Sequence, residues 1–326
     1  MGQISSYFFI CIYFLLISIS GISKGTTDST FQELQAPYYI SLSDSLTLRF
    51  LTVNKFNSFQ ISDRNTEKNV DFSPNSDLKL GVGFNYKKIG LNILVNLPGV
   101  SIGKSKGESS YFDFNLTSYG RKFGFDIAYN KYDGYYWSNP DQVMVGYDPK
   151  SLGYPQRPDI RTGILAVSGY FNMNHKKFSY LSSFSQNERQ LVSAGSPIVG
   201  AYANVFGLSS IDSLTVLPNV SIPEDDPELY FDEDLHFKSI QTRNVGVSGG
   251  YIYSFIIKQN FFITLSLQMG MGIESTDVTY ADQPTRYIEG VNVFSVSRAA
   301  VGYNGKLDYI GPVSYTHLTL PTTPYV

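Results

Sequence analysis

Residues 79–97 have the sequence KLGVGFNYKKIGLNILVNL, and this stretch is the most informative one about the fold. Leu80, Val82 and Phe84 alternate with glycine or polar residues, and after a turn at residues 88–90 the alternation resumes with Leu91 and Ile93. An apolar residue at every second position is typical of a strand with one apolar and one polar face. Two such strands joined by a tight turn predict an antiparallel hairpin.

The same pattern recurs along the chain after a first strand at residues 42–53. In the cleanest repeat we expect a two-residue loop at Gly120 and Arg121, with Phe114 opposite Ile127. The other hairpins are predicted at residues 163–173 with 178–186, 245–257 with 261–273, and 291–303 with 307 onward. Long connections separate the hairpins, at residues 54–77, 98–110, 133–161, 187–243 and 274–290.

Short turns at one end and long loops at the other are typical of a membrane-spanning barrel. The sequence therefore predicts an all-β fold, an antiparallel up-and-down transmembrane β-barrel of about 12 strands with the last ones truncated. Tyr132, Tyr135, Tyr136 and Trp137 cluster at a strand end, where we expect an interfacial aromatic girdle. A soluble all-β barrel or sandwich is the alternative, since it would also alternate.

Composition narrows the class of protein further. Among the 326 residues only 16% are charged while 15% are aromatic, and the mean hydropathy of −0.11 excludes a multi-helix membrane protein. A net charge of −3 argues against a nucleic-acid-binding protein, which needs a concentrated basic surface. An apolar lipid face combined with a polar lumen and polar loops would explain this composition.

Both chain ends are predicted to lie outside the barrel. Residues 1–25 resemble a secretory signal peptide, because residues 7–19 are apolar except for Ser18 and small residues follow, although no positive charge precedes them. An uncleaved anchor is the alternative, but the stretch is shorter than the roughly 20 residues that span a bilayer. Cys11 is the only cysteine, so the mature chain would have none. Residues 26–311 form the barrel domain, and residues 312–326 resemble translated sequencing adapter, a foreign tail.

Several stretches resemble a known family once the hairpins are placed. They are residues 74–76 followed by 80–87 (LGVGFNYK), 119–123 (YGRKF), 154–160 (YPQRPDI), 178–180 (FSY), 186–188 (QNE) and 193–196 (SAGS). In this order they resemble a domain-of-unknown-function family of Bacteroidota, number four-four-two-one, over about residues 38–311. The resemblance implies a Gram-negative envelope location and carries no activity with it.

Catalytic motifs are not found in the sequence. The three histidines are His175 in a basic turn, His236 after an acidic run, and His317 in the suspect tail. The chain has no Gly-x-Ser-x-Gly elbow and no His-Glu-x-x-His motif. The acidic residues 224–234 lack the spacing of an EF-hand, so a solvated loop is the better interpretation. We predict no catalytic residues, no metal site and no cofactor.

Two groups of charged residues are candidates for a lumen or ligand site. Arg49, Asp113, Asp126 and Arg298 fall on the polar faces of predicted strands, where mixed charges suit a lumenal network. Arg157, Asp159 and Arg161 form a loop cluster that either pins the loop onto the barrel or binds a ligand.

We therefore expect an exported protein of the cell outer membrane with a structural, transport or surface-interaction role rather than a catalytic one. The expected partners are outer-membrane lipids and an unidentified small molecule or surface partner, but not nucleic acid. One alternative is an outer-membrane lipid hydrolase or acyltransferase, which requires His236 to approach a serine. A second is a soluble periplasmic β-barrel that binds an apolar ligand.

Overall fold

The computed structural model describes residues 10–20, 37–41, 46–55, 58–62, 69–75, 79–95, 104–144, 146–184, 188–215, 236–258, 260–280, 283–304 and 308–320. For residues 10–20, 52–55, 79, 104 and 308–320 it describes the backbone alone. The described strands are β1 (Ile10–Ser20), β2 (Tyr39–Ser41), β3 (Thr47–Lys55), β4 (Phe59–Ser62), β5 (Asn69–Ser73), β6 (Lys79–Tyr86), β7 (Ile89–Val95), β8 (Ser110–Tyr119), β9 (Phe123–Trp137), β10 (Gln156–Asn172), β11 (Glu188–Gln190), β12 (Ala194–Ser209), β13 (Phe237–Ile257), β14 (Phe261–Tyr280), β15 (Arg286–Asn304) and β16 (Asp308–Leu320). The described helices are the 3₁₀ turn Lys104–Lys106, α1 (Pro140–Val143), α2 (Pro149–Leu152) and α3 (Leu181–Phe184).

The strands form an antiparallel ring. Hydrogen-bonded neighbours follow the order β10-β12-β13-β14-β15-β16-β1-β3-β6-β7-β8-β9, and β9 pairs in turn with β10. The remaining two strands of the fourteen-stranded sheet, β4 and β5, form a hairpin that joins the end of β9 through Phe72 and Trp137. This arrangement confirms the predicted all-β antiparallel barrel of about 12 strands.

The two predicted terminal segments both contribute strands. β1 lies between β3 and β16, antiparallel to each, although its residues fall within the predicted signal peptide. β16 runs through the predicted boundary at Pro312 and ends at Leu320. Whether residues 1–25 are cleaved and residues 312–326 are foreign stays a prediction. Removal of β1 would leave β3 and β16 without the neighbour they share.

The outer face of the ring carries an apolar belt on the strands whose side chains the structure describes. Side chains on this face alternate with buried or half-buried inward residues, as the period of two requires. More than a third of the surface of each is exposed, an arrangement that stable water-soluble monomers avoid over so large an area. Representative members are Leu48, Phe50, Val82, Phe84, Phe112, Phe125, Leu165, Val167, Val199, Val247, Tyr251, Phe255, Leu265, Leu267, Met269, Met271 and Val291.

The height of the belt matches a bilayer. On β14 the outward residues are apolar from Phe261 to Ile273, after which Ser275, Asp277 and Thr279 are polar. Twelve steps of about 3.4 Å give about 40 Å along the strand, or about 29 Å along the barrel axis at a tilt of about 45°. The hydrocarbon core of a bilayer is about 30 Å thick. No helix in the described part of the chain is long and apolar enough to cross a membrane.

One hairpin register differs from the prediction. Phe114 pairs with Tyr129 rather than Ile127, and the two-residue loop consists of Arg121 and Lys122, closed by the amide of Gly120 donating to the carbonyl of Phe123 at 2.7 Å. The predicted register was therefore wrong by two residues. A shift by two leaves every side chain on its expected face, because the side-chain period of a strand is also two.

A predicted strand at residues 178–186 was wrong as well. The strand that pairs with β10 is β12, which lies within the connection predicted as a long loop at residues 187–243. Residues 178–186 carry serine at positions of both faces, so they offer no apolar face for lipid. The described residues 178–184 contain α3 instead and enter the barrel.

The predicted aromatic girdle at residues 132–137 was also wrong. Tyr132 and Tyr135 are each 2% exposed, and Trp137 is 0% exposed. The end of β9 is covered by the β4–β5 hairpin, where the rings of Phe59 and Tyr135 pack at 5.4 Å, and the Trp137 indole donates to the Asn139 side chain at 2.7 Å. These aromatic residues therefore form a core beneath the long loops rather than a lipid-facing belt.

Candidate functional site

Residues 173–184 and 188–193, the described parts of the connection between β10 and β12, enter the barrel, and we call them the lumenal segment. It leaves the wall at the end where β6–β7, β8–β9 and β13–β14 are joined by short turns, the short-turn end. Within it lie α3 and β11, and Phe178 and Ser183 are each at most 1% exposed. The segment replaces what would otherwise be another short turn.

Contacts from distant strands show that the lumenal segment crosses the lumen. Arg49 on β3 donates from Nη1 to the Phe184 carbonyl at 3.5 Å. The hydroxyl of Ser183 lies 3.0 Å from that of Ser254 on β13 and 3.0 Å from that of Thr264 on β14. These wall residues are inward-facing and polar, so the predicted polar faces meet the segment from several sides.

On another side an arginine, a carboxylate and two tyrosines of the wall surround Tyr180 of the segment. Arg298 on β15 donates to the Tyr180 hydroxyl, and its guanidinium carbon lies 5.8 Å from the centroid of that ring. The rings of Tyr170 and Tyr180 are 4.4 Å apart, and Tyr119 packs edge-on against Tyr180 at 5.3 Å. The Tyr119 hydroxyl donates to Asp126. Aromatic packing and charge-assisted hydrogen bonds thus act on the same residue, Tyr180.

The wall holds Arg49 in a fixed orientation. Its Nη2 donates to the side-chain oxygens of Asn85 and Asn92, both at 2.8 Å. A Cβ atom at Gly83 would lie 2.4 Å from the Asn92 oxygen and 3.0 Å from Arg49 Nε, so only glycine leaves room for this group. The arginine is 4% exposed and its charge is directed at the segment.

A short two-stranded sheet fastens the segment from the short-turn end. β2 pairs with β11, and Tyr38 accepts from the amides of Leu191 and Val192 at 2.8 and 3.3 Å. The Tyr39 hydroxyl donates to the His175 carbonyl at 2.8 Å. β2 therefore touches both limbs of the lumenal segment.

Beneath this sheet a carboxylate is buried. Glu188 is 5% exposed and accepts a hydrogen bond from the Ser179 hydroxyl. Burial raises the pKa of the Glu188 carboxyl, and the Ser179 hydrogen bond and the nearby Arg121 charge offset part of this rise. Glu188 was not predicted as a site residue: it falls in a stretch that carries only the family resemblance, just after the wrongly predicted strand.

The opposite end of the barrel, the long-loop end, holds the second predicted group. Arg157 is fully buried, binds both carboxylate oxygens of Asp159 at 2.8 Å, and donates to the carbonyls of Ser213 and Leu214 at 3.2 and 3.1 Å. Of the two interpretations of this cluster, these contacts support structural pinning of the loop. Arg161 is separate, with its Nε 3.2 Å from Asp133 at the surface.

The predicted site residues thus fall into two places. Arg49, Asp126 and Arg298 meet around the lumenal segment, while Arg157 and Asp159 hold the loop at residues 210–215. Asp113 belongs to neither: it is 3% exposed and accepts from the Asn115 amide at 2.6 Å.

The described residues do not form the histidine–serine pair that the lipid hydrolase or acyltransferase alternative requires. His236 precedes β13 directly, and none of the hydrogen bonds described for the chain joins its ring to a serine hydroxyl. No group of three or more potential metal-ligating side chains is found among the described residues.

The apolar belt, the polar inner wall and the segment across the lumen define a class of protein: a transmembrane β-barrel plugged by its own chain. The chain belongs to the family described as Domain of unknown function (DUF4421), which matches residues 28–323. The curated proteins offer no match.

Solved structures with similarity to this chain include Pseudomonas aeruginosa OpdQ, at 9% identity and a TM-score of 0.17 over 97% of this chain and 98% of that one. OccK2 (OpdF) of the same organism, in complex with glucuronate, has 7% sequence identity and a TM-score of 0.19, over 96% of this chain and 97% of that one. The outer membrane protein opdK, also from that organism, has 7% sequence identity and a TM-score of 0.17, over 97% of this chain and 99% of that one. TM-scores this low define no common three-dimensional arrangement, and no function follows from them.

Proposed function

We propose that the protein is an outer-membrane transport barrel that is closed by the lumenal segment and passes small polar solutes when that segment is displaced. The observation that carries the proposal is the set of hydrogen bonds that joins the segment to the wall. Arg49, Arg298, Ser254 and Thr264 all meet the segment through hydrogen bonds.

A segment that is held by polar contacts can be displaced from the wall at a moderate cost in free energy. Water can replace each hydrogen bond when the segment moves, so the net cost of separation is about 1 kcal/mol for a neutral pair and about 1.5–3 kcal/mol where a charge takes part. The segment also shares a buried apolar cluster with the wall, which includes Phe178, Leu181, Ile198 and Ile252, and separation would expose the area of these side chains to water as well. The wall left behind would present the polar groups that now bond the segment, as the polar lumen of a solute channel does.

The proposed location follows from the same residues. An exported chain with an apolar belt about as high as a bilayer is suited to the outer membrane, the bilayer in which bacterial barrels of this kind reside. We propose no catalytic role, because the polar residues near Tyr180 are engaged within the protein: Arg298 donates to Tyr180 itself, and Tyr119 donates to Asp126.

The test is to lock the segment to the wall. Ser183→Cys with Ser254→Cys places two sulfurs where hydroxyl oxygens are 3.0 Å apart, and Cys11→Ser removes the only native cysteine. In planar bilayers we expect the reduced variant to show voltage-dependent conductance steps and the oxidised variant to show none.

A matched control disulfide joins two wall strands and leaves the segment free. Thr242 and Thr276 face each other on β13 and β14 with hydroxyls 3.0 Å apart, so Thr242→Cys with Thr276→Cys should conduct in both redox states. An absence of conductance in every variant and redox state, or equal conductance of the locked and unlocked protein, would overturn the proposal.

A further inference from the structure

Six exposed cations lie on three neighbouring turns at the short-turn end, and we call them the basic arc. Its members are Lys87, Lys88, Arg121, Lys122, Lys176 and Lys177. Among the described residues at this end the acidic side chains are Asp126 and Glu188. Both are directed into the barrel, where Asp126 accepts from Tyr119 and Glu188 from Ser179. Among the described side chains the cations of the arc therefore outnumber these two carboxylates, of which Glu188 interacts electrostatically with Arg121.

The three turns are joined to one another, which makes the arc continuous. The Tyr119 amide donates to the Lys88 carbonyl at 2.9 Å, and the Asn172 amide donates to the Lys122 carbonyl at 2.7 Å. The Asn172 side chain also donates to the Arg121 carbonyl at 3.3 Å. The arc follows five adjacent strands from β6 to β10, so at a spacing of about 4.8 Å it extends about 19 Å around the rim.

The arc lies at the edge of the apolar belt that is nearest the short-turn end. Tyr86, Ile89, Phe123 and Met173 are each at least 50% exposed and flank its turns directly in sequence. The Lys87 ammonium lies 5.3 Å from the centroid of the Tyr86 ring. The aliphatic stem of a lysine can lie along apolar surface while its charge reaches the lipid headgroups. A lysine next to a membrane-embedded aromatic residue is therefore at the depth of the lipid phosphates.

We propose that the basic arc binds the phosphate groups of anionic phospholipids in the leaflet at the short-turn end. The excess of cations, headgroup depth and continuity over several strands together fit a row of lipid phosphates. Arg121 and Lys177 of the arc also stack on Tyr39 and Tyr38, at 5.7 and 5.6 Å, so lipid bound there is in contact with the residues that fasten the lumenal segment. The inference is independent of the proposed transport role.

The experiment compares spin-labelled phosphatidylglycerol with spin-labelled phosphatidylcholine at the surface of the full-length protein in phosphatidylcholine bilayers. Electron paramagnetic resonance reports the fraction of each lipid held at the protein. At low salt we expect a preference of about three-fold for the anionic lipid, falling toward one as the salt concentration screens the charges.

Two triple variants locate the preference. The first triple variant removes three charges from the arc by Lys88→Gln, Lys122→Gln and Lys176→Gln. We expect its preference for the anionic lipid to fall to near one. Lys131→Gln, Lys150→Gln and Lys238→Gln remove the same charge from the long-loop end and should preserve it. Equal association of both lipids with the native protein at low salt, or an equal loss in the two triple variants, would overturn the inference. The native measurement stands even where a variant fails to fold.

Discussion

Arg298 on β15 and Tyr180 of the lumenal segment interact in two ways at once, because the guanidinium both donates to the phenol oxygen and packs 5.8 Å from the ring centroid. The two residues are 118 positions apart in the chain. Together with Arg49, which reaches the Phe184 carbonyl from β3, this contact holds the segment between strands of the wall that are not neighbours.

Replacement of Arg298 should loosen the segment without dissolving the barrel. Arg298→Gln removes the charge and the stacking contact, and a charge-assisted hydrogen bond contributes about 1.5–3 kcal/mol. We expect longer conductance openings in planar bilayers and faster proteolysis within residues 173–193. Arg243→Gln is the matched control, since this arginine pairs with Asp277 on the outer face, far from the segment. Equal opening times for native protein and Arg298→Gln would contradict this role.

The sequence predicted most strands of the wall, but it missed the wall strand β12 and the segment inside the lumen. Period-two alternation is a local signal, so the inward positions of Arg49, Asp126 and Arg298 could be read from a few flanking residues each. The lumenal segment depends on contacts such as Arg49 with Phe184, 135 positions apart, for which no local pattern exists. Its one detectable signal was serine on both faces of residues 178–186, which suits a polar lumen as well as a weak strand.

Glu188 should make the attachment of the lumenal segment depend on pH. Its pKa is raised above the ordinary value of 4.5 by burial, so the folded state holds the proton more tightly than the unfolded state does. This contribution to stability is fully present below the ordinary pKa and is lost as the pH rises through the raised value. We expect the segment to resist proteolysis better at about pH 4 than at about pH 8.

The variant Glu188→Gln separates this carboxylate from other titrating groups. Glutamine can still accept the Ser179 hydrogen bond but carries no charge at either pH. Its proteolysis should therefore be similar at both pH values, measured with a protease active across the range. A pH dependence that persists unchanged in Glu188→Gln would exclude this residue as its source.

Arg157 should be essential for the order of the loop at residues 210–215. Arg157→Gln would leave the Ser213 and Leu214 carbonyls without their buried donor and Asp159 without its cation, at a cost of about 3 kcal/mol. We expect a lower urea midpoint and new protease cleavage in that loop, while conductance is retained. Lys150→Gln, on the exposed helix α2 of the same end, is the control and should change neither. An uncleaved loop in Arg157→Gln would contradict the pinning role.

The membrane-facing surface can be tested on a single strand. Leu267 and Thr279 both point outward from β14, but Leu267 is near the middle of the apolar belt and Thr279 lies beyond its polar edge. An arginine on the lipid face costs about 2–4 kcal/mol at the bilayer midplane and about 0–1 kcal/mol near the interface. Equilibrium unfolding in phospholipid vesicles should therefore show a large loss of free energy for Leu267→Arg and almost none for Thr279→Arg. In a water-soluble barrel an arginine at either exposed position would be tolerated. Equal free energies of unfolding for the two variants would thus exclude lipid as the solvent of this face.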